Sequence, residues 1–295
     1  MPKGHTRPTA SPQRLIHFTE RTIHYCRYSS RSAIVNMNDT LPSQWESLES
    51  HIVACRRCPR LVAWREEVAQ VRRRAYRDEE YWGKPVPGFG DHRARVLIVG
   101  LAPGAHGANR TGRLFTGDGS GQFLYSALYR AGFASQPASH HRNDRMVLRD
   151  VFLSAACRCV PPANRPSPPE LIACRPYLER EMALLEHMRV IVALGRIAFD
   201  AVLRLYRDKR RLVEPGAEAL VRLQTPEFRH TAVHALSAAG PWLIASFHPS
   251  RQNTQTGRLT PAMFDGVWDQ TRRRLELEGP EVVGRELSGP EAPYH

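Results

Sequence analysis

The chain has 295 residues, 42% of them hydrophobic and 24% charged, which is typical of a globular protein with a substantial core. It contains no apolar run near the roughly 18 residues of a membrane-spanning helix, so we expect no membrane partner. Basic side chains exceed acidic ones by 13, and only three of the 42 are lysine. Arginine binds phosphate through a bidentate fork. The excess favours nucleic acid as a partner, with a genome-wide arginine bias as the alternative.

The two ends of the chain differ in composition from the middle. Residues 1–36 carry six Lys or Arg against one acid, Glu20, which is typical of a disordered basic arm, a transit peptide, or a start site mis-assigned upstream of Met37. We prefer the first and third interpretations and predict an arm or mis-assigned start at 1–40. One domain follows at 41–278, and a disordered Pro/Gly-rich tail at 279–295. The small number of cysteines and the lack of an apolar leader argue against an oxidising, secreted setting and predict a cytoplasmic protein.

The domain alternates predicted helices and strands. Trp45, Leu48 and Ile52 recur at helical spacing behind a Pro-Ser start signal. Short apolar runs predict strands at 94–100, 150–157, 189–195 and 241–247, and amphipathic stretches predict helices at 120–132, 168–188, 196–207 and 262–277. This alternation predicts an α/β fold, a three-layer α/β/α domain with a central, mostly parallel four-stranded sheet. Such sheets bind ligands beyond the carboxyl ends of their strands, which here are the loops after Gly100, Cys157 and Phe247.

Four cysteines have the spacing of a metal site. A CxxC pair lies between two helical patterns, and two further cysteines flank a Pro-rich loop; the four are Cys55, Cys58, Cys159 and Cys174. Four thiolates fit zinc or an iron–sulfur cluster equally well. Cys26 and Cys157 are not assigned as ligands. Cys26 lies in the predicted arm, and Cys157 belongs to the predicted strand whereas Cys159 belongs to the loop. The alternative is a chance CxxC with small core residues.

Two loops have distinctive sequences. GLAPGAHGANRTGRLFTGD (100–118) follows the first strand, and HPSRQNTQTGRLT (248–260) follows the last. The first is rich in glycine but lacks GxGxxG and the Walker lysine, which argues against a nucleotide cofactor. With the four cysteines, these loops resemble the type B, or family 5, uracil-DNA glycosylases, a branch of that superfamily with a 4Fe–4S cluster. The resemblance runs from about Cys55 to about residue 275 and implies that fold and a 4Fe–4S cluster, with zinc as the less favoured occupant.

The resemblance implies how this chain binds its substrate. A glycosylase takes the base out of the duplex stack and holds it in a pocket. Phe115 matches the aromatic residue on which uracil stacks, with a core position as the alternative. The implied substrate-binding residues are Gly100, Leu101, Ala102, Phe115 and Arg258. Arg110 and Arg113 are further candidates for phosphate contacts, with a solvated surface as the competing interpretation for each arginine.

The resemblance also implies three catalytic residues. His248 is placed to hydrogen-bond uracil O2 and stabilise the departing anion. Asp118 is the expected water-orienting carboxylate, although Asp-Gly is also an ordinary turn. Asn164 matches an asparagine proposed to assist, with a structural turn equally compatible.

Two features predict the outcome of the reaction. Leu101 stands where most of the superfamily has a polar residue, so base discrimination is expected to be loose, admitting hypoxanthine and other deaminated bases besides uracil in double-stranded DNA. None of the lysines falls in the three loops, so no amine is expected to form a Schiff base. We therefore predict a monofunctional, monomeric base-excision enzyme that leaves an intact abasic site.

Two other classes of function stay open on the sequence. One is a non-catalytic, zinc-stabilised accessory protein that binds DNA in repair. The other is an iron–sulfur redox protein whose cysteines are the functional centre. The cysteines lie away from the predicted pocket loops, which favours a structural cluster over a redox one.

Overall fold

The computed structural model describes residues 40–213, 226–237 and 240–277. The predicted arm at 1–36 and the predicted tail at 279–295 lie outside the described residues. Within the described chain, no helix is both long enough and apolar enough to cross a membrane.

The centre of the domain is one twisted sheet. Its strands are β1 (Phe89–Gly90), β2 (Val96–Gly100), β3 (Val151–Ala155), β4 (Val190–Leu194), β5 (Val233–Ala235) and β6 (Trp242–Ser246). They lie in the order β1-β3-β2-β4-β6-β5. The central four are parallel, and β1 and β5 pair antiparallel at the two edges.

The sequence-based prediction of a mostly parallel α/β/α sheet is confirmed, but its strand count was wrong. All four predicted strands are present and form the parallel centre. The sheet also has two edge strands of two and three residues, none of them fully buried. Edge strands this short carry no apolar run, so periodicity gives no signal for them.

The central strands form because they are covered on both faces. Every residue of β2, β3 and β4 is buried, and alternate side chains enter two separate cores. Leu97 and Val99 of β2 pack into one core, and Val96 and Ile98 into the other. Full burial of each such side chain stabilises the fold by about 1.5–3 kcal/mol. A one-residue slip of a strand would exchange its two faces, so this burial fixes the pairing register.

Helices cover the two faces. The first core packs against α1 (Leu41–Val53), α2 (Pro59–Val71), α5 (Pro168–Leu184) and α6 (Arg196–Val213), and the second against α4 (Gly119–Arg130) and α8 (Pro261–Glu276). Two short helices, α3 (Ala108–Thr111) and α7 (Arg251–Gln255), and 3-10 turns at Arg74–Tyr76 and Pro162–Asn164 complete the described elements. The predicted helix at 168–188 ends at Leu184; its start is fixed by a capping box between Ser167 and Glu170.

Backbone hydrogen bonds draw the strand ends together at the carboxyl edge. The amides of Ala156 and Cys157 donate to the carbonyls of Gly100 and Leu101, at 2.9 Å each. The amide of Gly195 donates to the carbonyl of Ser246 at 2.8 Å. The loops after β2, β3 and β6 are therefore neighbours, as the parallel topology requires.

Candidate active site

Phe115 lies over the end of β2 in a constrained conformation. Its φ of 53° is left-handed, which costs an L-residue free energy and marks a position where the surroundings dictate the backbone. A Cβ at Gly100 would lie 2.7 Å from Phe115 Cζ, and one at Gly121 would lie 1.7 Å from the Phe115 carbonyl oxygen. Glycine at both positions therefore allows the ring to sit against the strand end and the backbone to turn beneath it.

A buried arginine, Arg113, stabilises this turn through its side-chain hydrogen bonds. The sequence had suggested it only as a phosphate contact. The Arg113 guanidinium pairs with Asp144 and donates to Thr116 Oγ1 at 3.1 Å and to Ser139 Oγ at 2.6 Å. This pairing lowers the pKa of Asp144 to about 2 against the opposing effect of burial. The chain on both sides of Phe115 is thus fixed by charge-assisted hydrogen bonds.

His248 faces Phe115 from the end of β6. The two ring centroids are 6.4 Å apart and the planes are inclined by 31°. A Cβ at Gly195, in the turn after β4, would lie 3.2 Å from His248 Cβ. The backbone of His248 is anchored, because Asn253 Nδ2 donates to its carbonyl at 2.8 Å. The residue is half-buried, and desolvation by the surrounding protein lowers the pKa of its imidazole to about 4. The imidazole is therefore neutral at pH 7 and carries one N–H donor.

Asp118 caps the helix that follows Phe115. Its Oδ1 accepts a hydrogen bond from the Gly121 amide at 2.9 Å, which makes it the N-cap of α4. Cβ atoms at Gly104 and Gly107 would lie 2.7 and 2.0 Å from Oδ2, so this oxygen rests against the backbone of the first loop. Burial raises the pKa of Asp118, while the backbone hydrogen bonds and the Arg110 charge oppose that rise. One carboxylate thus has a structural role and lies beside the Phe115 turn.

The other first-loop candidates contribute mainly backbone. The carbonyls of Gly100 and Leu101 are occupied by the amides of the next loop. Ala102 packs against the first core. Of these three residues, Gly100 is the one that lies against the Phe115 ring, and none of the three has a polar side chain.

Asn164 lies in the loop between β3 and α5. It is exposed, has a left-handed φ of 55°, and ends the 3-10 turn Pro162–Asn164. Its amide donates to the Pro161 carbonyl at 3.1 Å. Its side chain makes no hydrogen bond to any other described residue.

The arginines near the site divide into two classes. Arg258 is exposed, with its guanidinium 4.9 Å above the Phe247 ring. Arg251 is also exposed and packs near Gly119, where a Cβ would lie 3.6 Å from Arg251 Cγ. Arg110 and Arg113 are both only 7% exposed and pair with Glu79 and Asp144. Both guanidinium groups are thus engaged within the fold, which argues against the phosphate contacts suggested for them on the sequence.

Most of the cysteines cluster around one cavity beside the loop from β3 to α5. Five of them line one small cavity: Cys55, Cys58, Cys157, Cys159 and Cys174. The Arg158 amide donates to Cys174 Sγ at 3.1 Å, and Arg65 Nη1 to Cys159 Sγ at 3.0 Å. Across the described residues, no three His, Cys, Asp or Glu side chains are arranged as a formed metal site. The donor set, thiols beside buried cations, is nevertheless the chemistry that a thiolate-bound zinc or iron–sulfur centre requires.

Comparison with known proteins relates this geometry to a family. The family model described as the uracil DNA glycosylase superfamily matches residues 87–272, which include Phe115, Asp118 and His248. The chain belongs to the uracil-DNA glycosylase superfamily. Within that superfamily, the chain is 52% identical over 232 residues to the type-5 uracil-DNA glycosylase of Thermus thermophilus, covering 79% of this chain and 99% of the relative. The type-5 uracil-DNA glycosylase of Mycobacterium leprae is 49% identical over 227 residues, covering 77% and 93%.

Similarity to type-4 uracil-DNA glycosylases is shorter. The type-4 protein of Pyrobaculum aerophilum is 38% identical over 127 residues, covering 43% of this chain and 57% of the relative. The type-5 protein of the same organism is 43% identical over 220 residues, covering 74% and 88%. The resemblance to the family 5 branch is therefore confirmed.

Proposed function

We propose that this chain is a monofunctional uracil-DNA glycosylase that acts on double-stranded DNA and leaves an abasic site. The observation that carries the proposal is the pair of facing rings at the carboxyl edge, Phe115 and a neutral His248, 6.4 Å apart. An aromatic face offers a stacking surface for an extruded base, and a desolvated N–H offers a donor to its oxygen. Type-5 uracil-DNA glycosylases are the relatives that share most of the chain.

The proposed step is cleavage of the bond between the sugar C1′ and uracil N1. As this bond breaks, positive charge grows on the sugar and negative charge on the base oxygens. His248 donates a hydrogen bond from its N–H to O2 of the leaving uracil. Because the low pKa of His248 keeps the imidazole neutral, the ring acts as a hydrogen-bond donor and does not transfer its proton. One preorganised donor of this kind is worth about 10²–10³ in rate.

Asp118 supplies the opposite charge in this proposal. Its carboxylate lies beside the turn that carries Phe115, where it stabilises the sugar cation and orients the attacking water. Asn164 is exposed on the neighbouring loop, and we assign it an assisting contact that forms only with DNA bound.

Base selection is proposed to be broad. Leu101 brings an apolar side chain to the strand end, so no buried polar group there demands one particular base edge. Hypoxanthine and other deaminated bases are thus proposed substrates besides uracil. Exposed Arg258 and Arg251 lie at the edge of the site and are suited to phosphate contacts.

A lyase step is not part of the proposal. Lys84 is the one lysine whose side chain is described, and its ammonium lies 5.5 Å from the centroid of the Trp82 ring. Within the described residues, this ammonium makes no hydrogen bond or ring contact with Phe115 or His248. The base is therefore expected to leave and the sugar to remain in the strand as an intact abasic site, without β-elimination.

We further propose that Cys55, Cys58, Cys159 and Cys174 hold a 4Fe–4S cluster with a structural role. The first two follow α1 and precede α2, Cys159 lies in the loop from β3 to α5, and Cys174 lies within α5. A bound cluster ties these segments together when loaded, so its loss is expected to cost folding before catalysis. Cys157 is the matched control: it is fully buried, and its Sγ donates to the Cys159 carbonyl at 3.4 Å. Single Cys→Ser variants of the four ligands should lose iron and absorbance near 400 nm, and Cys157→Ser should retain both.

The setting follows from the substrate. We propose that the protein acts as a monomer on the DNA of a bacterial cytoplasm, at the nucleoid. Gel filtration of the full chain with and without a short duplex tests the monomer: one chain per duplex supports it, and a dimeric elution contradicts it.

The activity test uses duplexes containing uracil, hypoxanthine or only normal bases, followed by hot alkali. Cleavage of the uracil strand after alkali, and none before it, supports a monofunctional glycosylase. His248→Ala should lose excision but keep affinity for the duplex. The control His187→Ala, exposed before β4 at the opposite edge of the sheet, should keep both. A wild-type chain that binds duplex and excises nothing supports the alternative of a zinc-stabilised accessory protein.

A further inference from the structure

A buried arginine contacts the cysteine cavity from α2. Arg65 is only 2% exposed. Its Nη1 donates to Cys159 Sγ at 3.0 Å and to the Cys55 carbonyl at 3.1 Å. Its Nε is buried and has no hydrogen-bond partner among the described residues. A donor left in this state costs free energy unless an acceptor is present in the functional molecule.

The charge of Arg65 is also poorly compensated by the protein. The one carboxylate within 4 Å among the described residues is Glu66, at 3.5 Å. Glu66 is partly exposed and already accepts two hydrogen bonds from Arg56. Burying a cation without an equally buried partner is unfavourable. A group of negative charge in the cavity would remove that penalty.

Arg158, the second buried arginine at the cavity, differs in this respect. Its guanidinium pairs with Glu181, which is 1% exposed, and donates to Ser154 Oγ at 2.9 Å. Glu181 therefore balances its charge, although Nε and Nη1 of Arg158, like Nε of Arg65, are buried without a hydrogen-bond partner among the described residues. The backbone amide of Arg158, and not its side chain, donates to Cys174 Sγ. Arg65 is the one of these two cations that has no fully buried carboxylate partner.

The hydrogen bonds also distinguish the sulfur atoms. Cys159 and Cys174 Sγ each accept an N–H hydrogen bond, from Arg65 and from the Arg158 amide. Cys157 Sγ instead acts as a donor, to the Cys159 carbonyl. A thiolate ligand is an acceptor, and a protonated thiol is a donor. The pattern assigns Cys159 and Cys174 as ligands and Cys157 as a bystander.

We propose that Arg65 is a positioning residue that holds the Cys159 thiolate as a ligand and compensates the negative charge of the bound cluster. This inference rests on the proposed iron–sulfur site. Positive charge and a hydrogen bond at a ligand sulfur favour the more reduced, more negative cluster. Arg65 therefore raises the midpoint potential for one-electron reduction and slows loss of iron.

The test compares three variants of the full-length holoprotein. Arg65→Met removes the charge and the donors, and Arg65→Lys keeps the charge but loses the fork. Arg60→Met is the control. Arg60 lies on the same helix, and its guanidinium contacts the Glu170 carboxylate rather than a sulfur. The measurements are midpoint potential by anaerobic titration with dithionite and mediators, followed near 400 nm, and the rate of iron release to a chelator.

Arg65→Met should lower the midpoint potential by the equivalent of about a tenfold change in the reduction equilibrium, about 59 mV for one electron, and should release iron faster. Arg65→Lys should fall between it and the wild type, and Arg60→Met should match the wild type. If Arg65→Met retains no iron, Arg65→Lys decides the matter: a lowered potential supports the proposal and an unchanged one overturns it. An iron-containing wild type whose potential is the same in Arg65→Met overturns this inference alone. A colourless, zinc-bound wild type overturns the cofactor proposal and this inference with it.

Discussion

Asp118 gives the sharpest separation between stability and catalysis, because one carboxylate has both roles. Its Oδ1 caps α4 through the Gly121 amide, and its charge is proposed to serve the reaction. Asn caps a helix about as well as Asp, whereas Ala loses about 1 kcal/mol of cap energy. Asp118→Asn and Asp118→Ala should therefore differ in stability but share the loss of activity.

The sign of the charge effect follows from burial. Burial raises the pKa of Asp118 above its ordinary value, so ionisation at pH 7 costs folding free energy in the native state. Removing the charge in Asp118→Asn should therefore leave the melting temperature at or above that of the wild type at pH 7. Asp118→Ala should melt lower than Asp118→Asn, by about 2–4 °C for the roughly 1 kcal/mol cap in a domain of this size.

The assay is single-turnover excision from a uracil-containing duplex, together with thermal unfolding. Both variants should lose about 10²–10⁴ in rate, the range of a positioned acid–base group. Asp269→Asn, an exposed carboxylate on α8, is the control and should change neither quantity. Wild-type excision by Asp118→Asn would refute the role of the charge. Equal melting of Asp118→Asn and Asp118→Ala would refute the role of the cap.

Three further results are expected. His248→Ala should lose about 10²–10³ in single-turnover rate, and full activity there contradicts the donor role. Burial lowers the pKa of His248 to about 4, from about 6.5 when unfolded. The contribution of His248 to stability is therefore complete above pH 6.5 and is lost as the pH falls to 4. Urea titrations should show a shallower pH dependence of the unfolding free energy for His248→Gln than for the wild type. Gly121→Ala places a Cβ 1.7 Å from the Phe115 carbonyl oxygen and should lower both melting temperature and excision, whereas Gly266→Ala, in an open position of α8, should stabilise by about 0.5–1 kcal/mol.

The central sheet was predictable because its strands are buried on both faces. The predicted strand at 94–100 corresponds to β2 at Val96–Gly100, and that at 241–247 to β6 at Trp242–Ser246. Such apolar runs leave a signal in a short window of sequence. The edge strand β1, Phe89–Gly90, has only two residues and forms because β3 offers it a free edge, which no local pattern records.

The site was predictable in its motifs and not in its electrostatics. The loops brought Phe115 and His248 together as their positions after parallel strands require. The same loops contain Arg110 and Arg113, whose partners Glu79 and Asp144 are each 31 residues away. Arginine on an exposed loop and arginine in a buried ion pair look alike in sequence, so their roles follow only from the fold. The contact between Arg65 and Cys159 spans 94 residues and is hidden for the same reason.

The most direct test of the base-binding site is a crystal structure of Asp118→Asn bound to a duplex containing one uracil. The account predicts that the uracil leaves the stack, lies flat against Phe115 and places O2 within about 3 Å of a ring nitrogen of His248. A uracil still paired in the duplex, or an extruded base held elsewhere with His248 out of reach, would contradict it.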